Sequence, residues 1–258
     1  MAMKRLDGLR VKLFADGADL DGILKMYANP LIRGFTTNPT LMRKAGVEDY
    51  ETFARRVLAA VPDRPVSLEV FADEFPDMMR QARVIASWGP NVNVKIPVTN
   101  TRREFSGAVI RALSEEGVTL NVTAIQTLEQ VRRVADALAP GARAIVSVFA
   151  GRIADTGVDP VPHMREAVKI LTARPHAELL WASPRELLNI FQADEVGCHV
   201  ITATNDILAK LALVGKDLAD YSLETVEMFR RDAIAAGYTI GPFPTDERAA
   251  APVATARS

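Results

Sequence analysis

The segment Asn91-Val-Asn-Val-Lys95-Ile-Pro-Val98 sets a lysine inside a run of branched apolar residues. Such runs read as β-strand. This one, residues 92–98, is followed by an amphipathic stretch at 102–116 and a second strand-like run at 118–123. Strand, helix-length connection and strand form the unit of a parallel sheet, because a parallel return needs a crossover of a dozen or more residues. The alternation continues both ways. Upstream, runs at 11–15, 34–37 and 66–71 precede helical stretches at 19–28, 39–60 and 77–88. Downstream, 118–123 precedes a helix at 127–139, and runs at 144–149, 178–182 and 199–203 precede helices at 162–173, 184–193 and 205–213. A last helix covers 223–236.

Strands this apolar on both faces belong in a parallel sheet covered by helices. Eight strand–helix units in a chain of 258 residues fit a closed (β/α)8 barrel best. An open doubly wound sheet is the alternative, but no Gly-rich phosphate loop follows the first strand. The expected fold is therefore α/β: a single (β/α)8 TIM barrel over 1–240 with an additional C-terminal helix. Residues 241–258 are rich in Pro, Ala and charge, and read as a disordered tail.

Composition narrows the function classes. Hydrophobic residues at 48% and charged residues at 24% describe an ordinary globular chain, not a disordered one. Lys and Arg total 31 against 32 acidic residues, so bulk charge favours neither nucleic acid nor an anionic membrane. The one cysteine, Cys198, excludes an internal disulfide and zinc sites built on several thiolates. His163, His176 and His199 have no ligand spacing and read as structural. No metal or other cofactor is expected. The first ten residues do not resemble a secretory signal, and no apolar run reaches membrane-spanning length, so a cytoplasmic location is expected.

In a barrel, polar residues on strands or at their C-terminal ends carry the chemistry. Strand 1 ends in Asp16, and strand 2 in Thr36, Thr37 and Asn38. Strand 3 carries Glu69, strand 4 Lys95, and strand 5 Asn121 and Thr123. Strand 6 carries Ser147 and is followed by Phe149 and Arg152; strand 7 is followed by Ser183 and Arg185. A lysine inside a barrel is costly to keep charged, and a neutral amine attacks a carbonyl to form a Schiff base. The plainer reading is a lysine whose ammonium reaches water or pairs with Glu69. Asp16 and Glu69 are each ion-pair partners or proton shuttles; together they suit a carbinolamine, which must gain and lose protons. Arg152 and Arg185 offer planar guanidinium groups to a phosphate, or form surface salt bridges. Pro39 suits a first helical position.

Four blocks resemble the transaldolases, and specifically the small-subunit branch that includes fructose-6-phosphate aldolase. These are Phe-Ala-Asp16-Gly-Ala-Asp19, Gly34-Phe-Thr-Thr-Asn38-Pro-Thr, Val-Asn-Val-Lys95-Ile-Pro-Val-Thr and Val146-Ser147-Val-Phe149-Ala-Gly-Arg152-Ile. The resemblance runs from about residue 13 to about 236. It implies class I aldol chemistry, with Lys95 as the Schiff-base lysine and Asp16 as acid/base at the sugar C4 hydroxyl. Glu69 would relay protons through a water that Thr123 helps hold. The substrate-binding set would be Thr37, Asn38, Asn121, Ser147 and Phe149 around the dihydroxyacetone part, with Arg152, Ser183 and Arg185 at the phosphate.

The substrates implied are sugar phosphates, with fructose 6-phosphate or sedoheptulose 7-phosphate as donor. Glu69 and Phe149 resemble transaldolases, where fructose-6-phosphate aldolases carry an amide and a tyrosine. Thr40, Val148, Pro184 and Ala203 depart from the usual residues and bear on sugar identity more than on chemistry. A class I aldolase releasing free dihydroxyacetone, and a non-catalytic sugar-phosphate-binding barrel, are the competing readings. The resemblance also implies a homo-oligomer, with 223–236 as the contact.

Overall fold

In the computed structural model, which describes residues 6–241, eight parallel strands close on themselves. They are β1 (Lys12–Asp16), β2 (Ile32–Thr36), β3 (Val66–Glu69), β4 (Val92–Pro97), β5 (Leu120–Ile125), β6 (Ala144–Val148), β7 (Ala177–Trp181) and β8 (Val200–Thr204). Each pairs with its sequence neighbours, and β8 pairs with β1, Lys12 opposite Val200 through Asp16 opposite Thr204. This is the (β/α)8 barrel expected from the alternation. Ten helices accompany the strands: α1 (Leu20–Tyr27), α2 (Pro39–Lys44), α3 (Tyr50–Ala60), α4 (Phe75–Ala86), α5 (Gly107–Glu115), α6 (Leu128–Ala137), α7 (Ala150–Asp155), α8 (Pro160–Leu171), α9 (Leu188–Val196) and α10 (Asn205–Ala209). The chain divides into two compact units, one ending at Val214 and the other beginning at Gly215. The second contains α11 (Leu218–Ala235), started by Asp217, whose side chain accepts from the Ala219 and Asp220 N–H groups. The tail expected at 241–258 lies, beyond Gly241, outside the described residues.

Local chemistry explains where elements differ from their expected bounds. The helical region at 39–60 is two helices, because Asp49 accepts from the Thr52 N–H at 3.1 Å and starts a new one. The helix expected from 102 begins at Gly107. Ahead of it Asn100 Oδ1 takes the N–H groups of both Arg102 and Glu104 at 3.0 Å, and Arg103 adopts φ 64°. Those bonds hold 100–104 in a turn that competes with helix. The short α7 is additional to the expected elements.

The main core lies between strands and helices, and Trp181, Phe35, Leu68 and Met78 are fully buried there. Cys198 is buried, and burial pushes its thiol up to about 12, so it is inert packing. Inside the barrel a smaller apolar cluster, Phe14, Ile145, Leu180, Ala182 and Val200, forms a plug. Gly34 is required beside it: a Cβ there would fall 2.5 Å from the Phe14 ring.

Candidate active site

Period-two alternation aims one residue in two at the barrel axis. Above the apolar plug these inward positions are polar. They line a cavity of about 710 Å³ at the C-terminal ends of the strands, floored by Asp16, Glu69, Lys95, Asn121, Ser147 and Thr202.

Lys95, 6% exposed, projects from the middle of β4. Its Nζ donates to the Thr37 carbonyl at 2.7 Å and lies 2.9 Å from Glu69 Oε2. The two readings of this lysine thus describe one side chain: it is buried and it is paired. Glu69 is itself fixed. The Tyr50 hydroxyl accepts from the Glu69 N–H at 2.8 Å and donates to the Glu69 carbonyl at 3.0 Å. The β2–β3 ladder ends at Thr36 opposite Ser67, so the phenol supplies what a neighbouring strand would have supplied to Glu69.

Asp16 closes β1. Thr36 Oγ1 donates to its Oδ1 at 2.7 Å, which leaves Thr202 Oγ1 as the donor to Thr36 at 2.6 Å. Asn38 caps α2 by accepting from the Leu41 N–H at 3.0 Å, so its amide NH₂ turns inward, 3.4 Å from Asp16 Oδ2. Burial raises the Asp16 carboxyl above its ordinary value of 3.8; Lys95 and the Thr36 and Asn38 hydrogen bonds offset only part of that.

Across the floor, Ser147 Oγ donates to Asn121 Oδ1 at 2.6 Å and Asn121 Nδ2 donates to Ser67 Oγ at 3.0 Å. This row fixes the Asn121 amide. Thr123 lines the cavity beside a bulge: β5 and β6 lose register between Val122 and Ile125, and Ala124 takes φ 62°. Bulges of this kind re-aim side chains next to sites.

At the rim stand Phe149, Arg152, Ser183 and Arg185. The Arg152 guanidinium lies 5.5 Å from the Phe149 ring centre. Arg185 is gripped by Asp155 on α7, Nε to Oδ1 at 3.0 Å with Nη2 on Oδ2. Ser183 has φ 56°, a strained conformation for serine. It is imposed by close packing: a Cβ on Gly151 would lie 1.5 Å from the Ser183 carbonyl oxygen.

Of the twelve residues named from sequence, all but Thr37 line this cavity. Thr37 is fully buried, gives its hydroxyl to the Ser67 carbonyl at 3.0 Å, and meets the site through its own carbonyl, on Lys95. Sequence reading passed over Ser67, Thr202, Tyr50 and Asp155. Ser67 stands two residues before Glu69, and period-two spacing would have found it; Thr202 is likewise a hydroxyl on a strand. Tyr50 and Asp155 lie on helices and carry no such signal.

Comparison with known proteins bears on the fold and the family. Similar solved structures include 3-hexulose-6-phosphate synthase from Salmonella typhimurium, with TM-score 0.54 and 15% identity over 78% of this chain and 91% of that one. Dihydrodipicolinate synthase from Rhodopseudomonas palustris gives TM-score 0.54 at 16% identity, over 90% and 82%. At such identities these show the barrel alone. Sequence relatives say more. The "Probable transaldolase" of Dehalococcoides mccartyi is 36% identical over 202 residues, covering 78% of this chain and 90% of the relative. The "Probable transaldolase 2" of Listeria monocytogenes is 35% identical over 202 residues, 78% and 88%. The "Probable transaldolase" of Thermoanaerobacter sp. is 32% identical over 231 residues, 89% and 100%. The family model described as Transaldolase/Fructose-6-phosphate aldolase matches residues 13–240, and the chain belongs to that family.

Proposed function

We propose that the protein is a transaldolase that moves a three-carbon dihydroxyacetone unit from a ketose phosphate to an aldose phosphate through a Schiff base on Lys95. The observation that carries this reading is the enclosed Lys95–Glu69 pair, 2.9 Å apart, with Asp16 on the same floor.

The steps follow from the atoms. Passage of one proton from Nζ to Glu69 frees the lysine lone pair. Nζ attacks the C2 carbonyl of the ketose, and the carbinolamine hydroxyl leaves as water with the proton that Glu69 returns. The product is an iminium. Asp16 accepts the C4 hydroxyl proton, the C3–C4 bond breaks, and its electron pair flows into the iminium to give an enamine. The aldose phosphate departs. An incoming aldehyde is attacked by enamine C3, Asp16 returns its proton to the new alkoxide, and hydrolysis releases the product and Lys95. The raised Asp16 carboxyl suits a group that must both take and give that proton.

Asn38, Asn121 and Ser147 are the hydrogen-bonding groups for the three-carbon part, and Arg152, Ser183 and Arg185 those for the phosphate. Phe149 brings no hydroxyl to the enamine, which favours transfer to an acceptor over protonation and release. Thr123 lines the cavity, where its hydroxyl can hold the relay water.

The reading extends to assembly. α11 displays Leu223, Val226 and Phe229, 58%, 60% and 63% exposed and spaced three apart along one face. We propose that this stripe joins copies of the chain in a homo-oligomer.

Borohydride reduction in the presence of fructose 6-phosphate is the test. A dihydroxyacetone-derived mass on Lys95 is expected, together with turnover that depends on an added aldose. Active protein with unmodified Lys95 sinks the proposal, and rapid turnover without acceptor makes the protein an aldolase.

A further inference from the structure

Below the apolar plug, at the N-terminal ends of the strands, lies a second chamber of about 890 Å³ that the reaction does not use. Phe14 and Ile145 form its ceiling, while Leu180 and Ala182 face the upper cavity. The lower end of a barrel ordinarily serves stability, with bulky branched residues filling the interior. Here it is polar and basic. Lys12, Arg33, Arg64 and Arg143 line it against two carboxylates, Asp63 and Glu178.

Both carboxylates are already engaged. Glu178 pairs with Lys12. Asp63 accepts from the Tyr27 hydroxyl at 2.7 Å, and the Arg64 guanidinium stacks 4.5 Å from that tyrosine ring. Arg33 and Arg143 have no carboxylate partner among the described residues. A separate observation comes from β4. Asn93, two residues below Lys95, is 7% exposed and lines the chamber, and its side-chain amide has no hydrogen-bond partner among the described residues. That amide opens onto the chamber, so a ligand there can take its hydrogen bonds.

The topology brings the two unmatched arginines together. Arg33 lies on β2 and Arg143 immediately precedes β6, and these strands stand opposite each other round the closed sheet. An eight-stranded barrel is only wide enough inside for side chains to fill it. Arg33 and Arg143 are both exposed residues that line this mouth from opposite sides, so a small ligand on the axis lies within the span of two long side chains, and two positive charges in excess match a dianion. Guanidinium forks suit phosphate oxygens. We infer that this lower chamber binds a phosphate dianion, clamped by Arg33 and Arg143 with the Asn93 amide donating from β4. The source is inorganic phosphate or the phosphoryl group of a small metabolite.

The test uses the full chain carrying R152Q/R185Q, which removes the arginines of the upper cavity. Calorimetric titration with inorganic phosphate, at about 0.15 M ionic strength, is expected to show one remaining site. R33Q/R143Q in that background should weaken it at least about tenfold, and N93L by a smaller factor. Titration with glucose 6-phosphate in parallel separates the sources: tighter binding than phosphate means that a metabolite's phosphoryl group is the ligand. No binding in the R152Q/R185Q protein, or binding indifferent to loss of Arg33 and Arg143, overturns the inference. Should the combined variant not fold, a tungstate soak of wild-type crystals decides: density between the two guanidinium groups supports the site, and a chamber without tungstate refutes it. None of these readouts depends on Lys95, so the proposal stands or falls apart from the transaldolase reading.

Discussion

In the proposed reaction Lys95 and Asp16 make and break the bonds, and their substitution should separate bond-making from binding. Lys95→Met is expected to abolish transfer and borohydride trapping while leaving the barrel intact by circular dichroism. Asp16→Asn should cost about 100-fold or more in kcat, as expected for loss of a positioned acid/base. It should also alter stability with a definite sign. The folded protein holds Asp16 protonated to a higher pH than the unfolded chain does. Between 3.8 and the raised value the folded state binds more protons, so wild-type stability contributed by this group falls as pH rises through that window. Asn is spared that loss. The Tm difference, variant minus wild type, should therefore be near zero around pH 4 and positive at pH 7. A difference that does not change with pH would contradict the assignment. The acid limb of kcat/KM for the wild type should sit above an ordinary aspartate for the same reason. Lys95 was legible in sequence because charge within a β-branched run is conspicuous. Thr36 and Thr202, which orient Asp16, are common strand residues, and their roles appear only once β1, β2 and β8 are neighbours.

Loops and helix starts decide how well the strands hold these groups. The Tyr50 hydroxyl at the start of α3 pins the Glu69 backbone by two hydrogen bonds. Tyr50→Phe leaves the Glu69 N–H without its partner, a cost of about 1–3 kcal/mol. It should lower kcat about tenfold, with donor KM little changed and trapping at Lys95 slowed in step. Full kcat accompanied only by a lower Tm would show that the phenol merely stabilises. On the other side of the barrel, Gly151→Ala places a methyl group against the Ser183 carbonyl, so the β7 loop must move. KM for phosphorylated donors should rise about tenfold or more, while free dihydroxyacetone is affected much less. Equal losses with both substrates would place Ser183 elsewhere in the mechanism.

At the scale of the molecule, one apolar plug divides the barrel interior into an acid–base cavity above and a basic chamber below. Among its described residues the second unit holds one 18-residue helix with no buried residue, whose stripe of Leu223, Val226 and Phe229 calls for cover. Replacing Leu223 and Phe229 by Asp should convert an oligomer to smaller species in light scattering, with the barrel's circular dichroism retained. An unchanged mass would remove α11 from the interface. Among the described residues no helix is long and apolar enough to cross a membrane.

By itself the sequence determined the eight strand–helix repeats, a parallel sheet for which a closed barrel was the better of two arrangements, and the polar residues at strand ends. Those are consequences of local periodicity and of the rule that a parallel strand needs a crossover. Only the tertiary structure decided which polar residues meet. The Asp155 grip on Arg185 spans 30 positions along the chain, Lys95 meets Thr37 across 58, and Thr202 meets Thr36 across 166. Barrel closure sets such distances, since bringing β8 against β1 makes neighbours of residues that no local pattern relates.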